Sequence, residues 1–138
     1  MKKFRTGRID ISALNVPPEK HEYETAKYFA NRGFDVVFIK PRDTKGFNSP
    51  DFMMDNKAWE TKCPIKYSKR SFEDNLKKAS KQSENVIFDL RRLSAKDEII
   101  YARELKNWST KNQIKNLLVV TRDGQVLTIK GRFAIMVA

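Results

Sequence analysis

The stretch SPDFMMDNKAWETK, at residues 49–62, constrains the fold of this chain more than any other segment. It consists of two short runs with strand-forming residues around the triplet DNK. Asp and Asn favour tight turns because they tolerate left-handed backbone and hydrogen-bond their own main chain. The segment therefore predicts a β-hairpin. With residues 56–57 as a two-residue loop, Asp51 is expected to lie opposite Lys62.

One face of the predicted hairpin is charged and the other is mostly apolar. Because side chains alternate across a strand, Asp51, Glu60 and Lys62 share a face. The other face is expected to be core material and carries Phe52, Met54, Trp59, Thr61 and Cys63. Hard divalent cations such as magnesium prefer carboxylate oxygens, and a neighbouring lysine can steady charge on a phosphate or position a water. The spacing alone also fits an ordinary solvated hairpin edge.

The overall charge favours a polyanionic partner. The chain has 28 Lys and Arg against 17 Asp and Glu, which gives a formal net charge of +11 on 138 residues. Its 40% hydrophobic and 33% charged composition is typical of a single soluble globular domain. Solubility would account for some excess of charge, but +11 on so small a domain favours nucleic acid.

Several classes of protein are excluded by the composition. No apolar run approaches the roughly 20 residues of a membrane span, and we expect no signal peptide because the N-terminus lacks an apolar region. The single cysteine, Cys63, excludes a disulfide framework and a multi-cysteine zinc site. The single histidine, His21, excludes RNA cleavage by a histidine pair. The five glycines are scattered, so nucleotide hydrolysis at a glycine-rich loop is unsupported.

The rest of the chain predicts a single domain at residues 17–138, after a basic, loosely ordered lead-in at residues 1–16. Two prolines open a helix that ends near Gly33, and Glu22 lies at the start of its apolar stripe. A carboxylate in that position is costly unless it is paired or bound to metal. A basic loop at residues 40–48 then leads into the hairpin.

The fold class predicted from the whole pattern is α/β, with a mixed β-sheet flanked by helices. Capping-box-like pairs at residues 71–74 and 94–97 predict the starts of two further helices. Apolar runs before and after them predict strands near residues 34–39, 86–90, 117–121 and 126–129. The predicted order is αβββαβαββ, with a parallel crossover from the hairpin through one helix to the next strand.

These motifs together resemble a known nuclease superfamily. A helix with Glu22, then Pro50-Asp51, then the triplet at residues 60–62 is similar to the PD-(D/E)xK, restriction-endonuclease-like nucleases. The stretches HEYETAKYFANRGFDVVFI, SPDFMMDNKAWETKCPIKYSKRSFEDNLKKASKQSENVIFDLRR and NLLVVTRDGQVLTIKG resemble the C-terminal tRNA-nuclease domain of CdiA-type contact-dependent growth-inhibition toxins. The resemblance covers about residues 20–131 and implies a restriction-endonuclease-like sheet.

The resemblance also implies residue roles. The implied catalytic residues are Glu22, Asp51, Glu60 and Lys62. The three carboxylates, together with the backbone carbonyl of Thr61, would hold a divalent metal, which would be magnesium or else manganese or zinc. Thr61 departs from the family pattern, in which the residue between the acid and the lysine is plainly apolar. Glu24 is the alternative to Glu22 if the helix register differs.

Basic residues after the hairpin supply the predicted substrate contacts. The loop at residues 64–71 and the helix after it are rich in lysine and can grip phosphates beside the scissile bond. An amide near the end of that helix is implied by the resemblance, and an arginine after the following strand could approach a bound strand. The predicted contacts are Lys66, Lys69, Arg70, Lys78, Gln82 and Arg91. Each of these could instead be an ordinary solvated side chain.

Two classes of function stay open on the sequence. One is a metal-dependent endonuclease, with tRNA as the leading substrate by resemblance and DNA as the rival. The other is a nucleic-acid-binding module of the same fold without catalysis. The toxin resemblance further implies an acidic immunity protein as a partner and action in the cytoplasm of a target cell. The sequence indicates no oligomeric state.

Overall fold

A computed structural model of the chain describes residues 6–41, 49–109 and 111–133, which contain a seven-stranded mixed sheet and three helices. The elements in chain order are β1 (Ile9–Asp10), α1 (Lys20–Ala30), β2 (Val36–Phe38), β3 (Phe52–Met54), β4 (Lys57–Lys62), α2 (Lys69–Gln82), β5 (Asn85–Asp89), α3 (Ala95–Trp108), β6 (Asn116–Val120) and β7 (Val126–Lys130). The predicted fold class is confirmed, and β1 precedes the predicted order. Among the described residues, no helix is long and apolar enough to cross a membrane.

The strands lie side by side in the order in which the chain forms them. The pairs β1–β2, β4–β5 and β5–β6 are parallel, and the others are antiparallel. The predicted parallel crossover from the hairpin through α2 to β5 is therefore confirmed. Part of the predicted basic loop, residues 42–48, lies outside the described residues.

The described part of the predicted lead-in, residues 6–16, is not loosely ordered. Ile9 pairs with Val36 in the sheet, and the Gly7 amide donates to the Ala30 carbonyl at 2.7 Å. A Cβ at Gly7 would lie 1.9 Å from a backbone oxygen, so this close approach requires glycine. Leu14 packs against buried side chains of the core. The prediction from composition missed these contacts because they join distant parts of the chain.

The sheet has a hydrophobic core on each face. α1 packs on one face with residues such as Phe29 and Trp59, and α2 and α3 pack on the other with residues such as Phe72. Strand β5 is buried on both sides. Val86 and Phe88 lie in the core under α2 and α3, and Ile87 lies in the core under α1. The hairpin of β3 and β4 thus lies between helices that come from opposite faces.

The two later helices begin with serine caps. Ser94 accepts a hydrogen bond from the Asp97 amide at 3.1 Å, as the sequence predicted. The start predicted for α2 at Ser71 is three residues late, because Ser68 is the extended residue that accepts the Ser71 amide at 3.1 Å. Ser71 itself lies in the first turn of the helix.

Candidate active site

The turn of the β3–β4 hairpin lies at Asp55 and Asn56, whose φ angles are 54° and 60°. Met54 pairs with Lys57 across this two-residue loop. The predicted loop at residues 56–57 is therefore wrong by one residue. Two consecutive positive φ angles are what a type I′ turn requires, and Asp and Asn adopt that backbone at lower cost than Lys.

The shifted turn changes the pairing of the hairpin but not its faces. Phe52 pairs with Trp59, so Asp51 lies next to the end of the ladder opposite Glu60, and the predicted pairing of Asp51 with Lys62 is wrong. The Asp51 amide donates to the Trp59 carbonyl at 2.8 Å. Moving the turn by one residue shifts each partner by two residues, which is one full period of side-chain alternation in a strand. Asp51, Glu60 and Lys62 therefore still belong to one face.

Glu60 is a buried carboxylate with one oxygen unsatisfied. Its side chain is 3% exposed, and its Oε2 lies 3.1 Å from the Lys62 ammonium. Its Oε1 is buried and has no hydrogen-bond partner among the described residues. Burial and then the nearby Asp51 carboxylate raise the pKa of Glu60 to about 8, although Lys62 acts in the opposite direction.

Lys62 lies between two side chains of the site. Its Nζ contacts Glu60 and also donates to Oε1 of Gln82 at 3.1 Å. Gln82 is the last residue of α2, so this helix brings an amide to the lysine from a different part of the chain. The contact holds the long Lys62 side chain, which is 19% exposed, in one position.

Asp51 is oriented by Thr61. One carboxylate oxygen, Oδ2, accepts from the Thr61 amide at 2.8 Å and from the Thr61 hydroxyl at 2.7 Å. Sequence reasoning placed Thr61 on the core face and assigned it only a backbone carbonyl ligand. The hydroxyl contact was missed, because alternation gives no sign that a side chain of that face reaches the start of the neighbouring strand.

Glu22 faces the same cluster from α1. It is half-buried, and burial, followed by the charges of Asp51 and Glu19, raises its pKa to about 7. Asp51 therefore lies close enough to both Glu22 and Glu60 for its charge to interact with theirs. Glu24 is exposed and lines a different cavity, so the helix register favours Glu22 over this alternative.

A cleft of about 480 Å³ opens beside the carboxylates. Glu22, Asp51 and Gln82 line it together with residues 14–19 and 38–41. The segment predicted as a lead-in thus forms part of its wall. At the rim, His21 lies 3.0 Å from Glu19, so the histidine is paired on the surface.

The other predicted substrate contacts are spread along α2. Lys69 and Arg70 lie in its first turn and Lys66 lies in the loop before it, whereas Lys78 lies one turn before Gln82. The helix has 14 residues and is about 20 Å long. The four cations are exposed and are spread along α2 and the loop before it, so the structure does not gather them into one cluster.

Arg91, a further predicted substrate contact, is engaged within the protein. Its guanidinium donates to Asp89 at 2.9 and 2.7 Å and to the Glu24 carbonyl at 3.2 Å. It also lies 4.9 Å from the centre of the Tyr28 ring. These contacts join the end of β5 to α1, and a direct role of Arg91 in substrate binding stays a prediction.

Comparison with known proteins shows the family of this chain. Residues 48–126 match the contact-dependent growth inhibition CdiA C-terminal domain, and the chain belongs to this family. No curated protein sequence matches it. One similar solved structure is a CdiA-CT/CdiI toxin and immunity complex from Burkholderia pseudomallei, with a TM-score of 0.64 and 21% identity over 90% of this chain and 99% of that chain. This likeness concerns the fold. The resemblance to CdiA-type domains is confirmed, and membership of the PD-(D/E)xK superfamily stays a prediction.

Proposed function

We propose that this chain is a metal-dependent nuclease of the PD-(D/E)xK type that acts as the toxic domain of a contact-dependent growth inhibition protein. The observation that carries the proposal is that Asp51 interacts with both Glu22 and Glu60, that Lys62 pairs with Glu60, and that Oε1 of Glu60 is buried without a hydrogen-bond partner among the described residues. The family supports the toxin role. The carboxylates and the lysine support phosphodiester chemistry.

The carboxylates fit a divalent cation. A buried, unpartnered carboxylate oxygen is costly, and a bound cation would remove that cost. Asp51, Glu60 and Glu22 would hold the cation, and the Thr61 carbonyl would be a further ligand. Donors that are all oxygen favour magnesium, with manganese or zinc as alternatives. When bound, such an ion polarises a phosphoryl oxygen and lowers the pKa of water.

The chain's own residues position the reacting groups. Gln82 and Glu60 hold the Lys62 ammonium beside the carboxylates, where it can stabilise negative charge that develops on a phosphate. Thr61 fixes the orientation of Asp51 through two hydrogen bonds. We propose that the strand enters by the cleft that Glu22, Asp51 and Gln82 line.

The proposed substrate is tRNA, with DNA as the alternative. Lysine and arginine contacts such as those along α2 recognise phosphate and therefore do not separate RNA from DNA. The similar structure is a toxin with its immunity protein, which supports an immunity protein as a partner of this chain too, and the net charge of +11 favours an acidic one. Such a toxin would act in the cytoplasm of a target cell.

The test is incubation of the purified protein with total tRNA and, separately, with plasmid, in magnesium or in EDTA. We expect the wild type to cleave tRNA only with magnesium, and Glu60→Gln to be inactive. Glu104→Gln, which removes a carboxylate from α3, is the matched control and should cleave normally. Hydrolysis by water leaves 5′-phosphate and 3′-hydroxyl ends. Cyclic phosphate ends, or cleavage that persists in EDTA, would contradict the mechanism.

A further inference from the structure

A second cavity, of about 350 Å³, lies on the α1 side of the molecule and has no role in the proposed chemistry. The first turns of α1, the residue after β4 and the segment that ends β5 form its walls. The lining residues are Lys20, His21, Glu24, Cys63, Asp89, Arg91 and Arg92.

The cavity adjoins the candidate active site along the chain. Lys20 and His21 immediately precede Glu22, and Cys63 immediately follows Lys62. The same two elements, α1 and β4, therefore carry the candidate catalytic side chains and the walls of the cavity. A strand bound at the carboxylates would carry further phosphates on either side of the scissile one.

Two of the charges in the cavity neutralise each other. Asp89 is 4% exposed, accepts two hydrogen bonds from the Arg91 guanidinium and accepts a third from the Thr25 hydroxyl at 2.7 Å. Cys63 lies beside the same threonine, with its Sγ 3.3 Å from the Thr25 hydroxyl oxygen. Asp89 thus offers no unpaired negative charge to a ligand.

The charges that remain are mostly positive. Lys20 and Arg92 are exposed, and neither forms an ion pair with any residue that the structure describes. Glu24, also exposed, is the opposing carboxylate. Guanidinium and ammonium groups are the side chains that bind phosphate best.

We propose that this cavity binds a phosphate of the nucleic-acid strand that flanks the scissile phosphate, with Arg92 and Lys20 as its contacts. Arg91 supports the site by neutralising Asp89 and does not itself contact the phosphate. Glu24 weakens the site by repulsion. The inference rests on the proposed nuclease function, because it requires a strand in the adjacent cleft.

The test measures binding of tRNA to the non-cleaving Glu60→Gln protein over a series of salt concentrations. Adding Arg92→Gln or Lys20→Gln should weaken binding and should each reduce the slope of log affinity against log salt by about 1. Adding Glu24→Gln should strengthen binding instead. The controls are Arg103→Gln and Glu104→Gln on α3, which covers the opposite face of the sheet. Arg103→Gln changes the net charge by the same amount as Arg92→Gln or Lys20→Gln, and Glu104→Gln by the same amount as Glu24→Gln.

The outcomes separate this inference from the nuclease proposal. Larger effects of Arg92→Gln and Glu24→Gln than of their α3 controls, in opposite directions, support the cavity as a phosphate site. Equal effects of the cavity variants and their controls overturn the phosphate site. Cleavage by the wild type would still support the nuclease proposal in that case. If the Glu60→Gln protein binds neither tRNA nor DNA and the wild type cleaves neither, both proposals fail. Circular dichroism of each variant verifies the fold.

Discussion

Glu60 combines features that are rarely found together on one side chain. It is buried, it faces the like charge of Asp51, and within residues 6–41, 49–109 and 111–133 only its Oε2 is paired, with Lys62. Each of the first two features disfavours the ionised carboxylate, and one lysine does not compensate for both. The folded protein therefore tolerates this residue at a cost in stability that a bound cation would remove, as is common where function opposes stability.

The raised pKa of Glu60 predicts how metal-free stability depends on pH. Folding raises this pKa from 4.5 to about 8, so the folded state holds a proton that the unfolded chain releases between those values. The stability that this proton contributes is complete below about pH 4.5 and is lost as the pH rises through about 8. In EDTA, wild type should therefore lose stability relative to Glu60→Gln between these values, as measured by urea unfolding.

The comparison with Glu60→Gln isolates one carboxyl group. Glu22, whose pKa is also raised, acts in the same direction but is present in both proteins and cancels. Glu104→Gln should follow the wild type across the pH range. Parallel curves for wild type and Glu60→Gln would show that Glu60 ionises normally.

The role of Lys62 should be separable by experiment from that of the proposed metal ligands. Lys62→Met leaves all three carboxylates in place, so added magnesium or manganese should still raise the melting temperature. Cleavage should fall by about 100-fold or more, because the positive charge beside the developing phosphate charge is lost. Glu60→Gln should lose both the thermal shift and cleavage. The control Lys106→Met, on α3, should keep both, and a Lys62→Met protein that cleaves normally would remove the lysine from the mechanism.

At the scale of elements, the position of α1 determines whether Glu22 reaches the site. Two side chains fix this helix to the end of β5. The Thr25 hydroxyl donates to Asp89 at 2.7 Å, and Arg91 bonds both Asp89 and the Glu24 carbonyl. The Thr25 hydroxyl also contacts the carbonyl of His21, one turn earlier and next to Glu22. These contacts therefore hold the turn of α1 that carries the Glu22 carboxylate.

Arg91→Gln should therefore act mainly on stability. Removing the guanidinium leaves the carboxylate of Asp89 buried without its charge partner, which costs about 3 kcal/mol for a pair of this kind. Urea unfolding measures the loss, and Arg92→Gln, one residue further along and exposed, should lose less than about 0.5 kcal/mol. Wild-type stability of Arg91→Gln together with weakened tRNA binding would instead assign Arg91 to the substrate.

At the scale of the molecule, the candidate site exists because helices from both faces of the sheet meet one hairpin. α1 supplies Glu22 from one face, and α2 supplies Gln82 from the other. The net charge of +11 adds a long-range attraction for nucleic acid, whatever its sequence. Affinity for nucleic acid is therefore expected even when the chemistry is blocked.

A toxin of this kind should stop the growth of a cell that makes it. We expect induced expression of wild type to arrest growth, and expression of Glu60→Gln at equal abundance to be tolerated, because binding without cleavage does not destroy the substrate. Growth curves with immunoblots for abundance measure this, and sequencing of RNA ends from arrested cells identifies the substrate. If the two proteins are equally harmless, the toxin function is wrong and a binding or processing role is favoured.

Which side chains share the charged face of the hairpin was predictable from the sequence alone. Asp51, Glu60 and Lys62 were assigned to one face although the turn was placed one residue too late. The assignment survived because alternation of side chains is a local property of a strand, and a shift of the turn by one residue preserves it. The serine cap of α3 was predictable for the same reason, since a cap and its partner are three residues apart.

What those side chains contact depends on the tertiary structure. The hydrogen bonds of Thr61 to Asp51, of Gln82 to Lys62 and of Arg91 to Asp89 join groups whose meeting depends on strand register or helix packing. The pairing of β1 with β2 arises in the same way, although composition indicated a loose segment. The periodicity of side chains along a strand or helix predicts on which face of that element a residue lies. The partner it meets depends on how the elements pack, and that is fixed by the burial of both cores together.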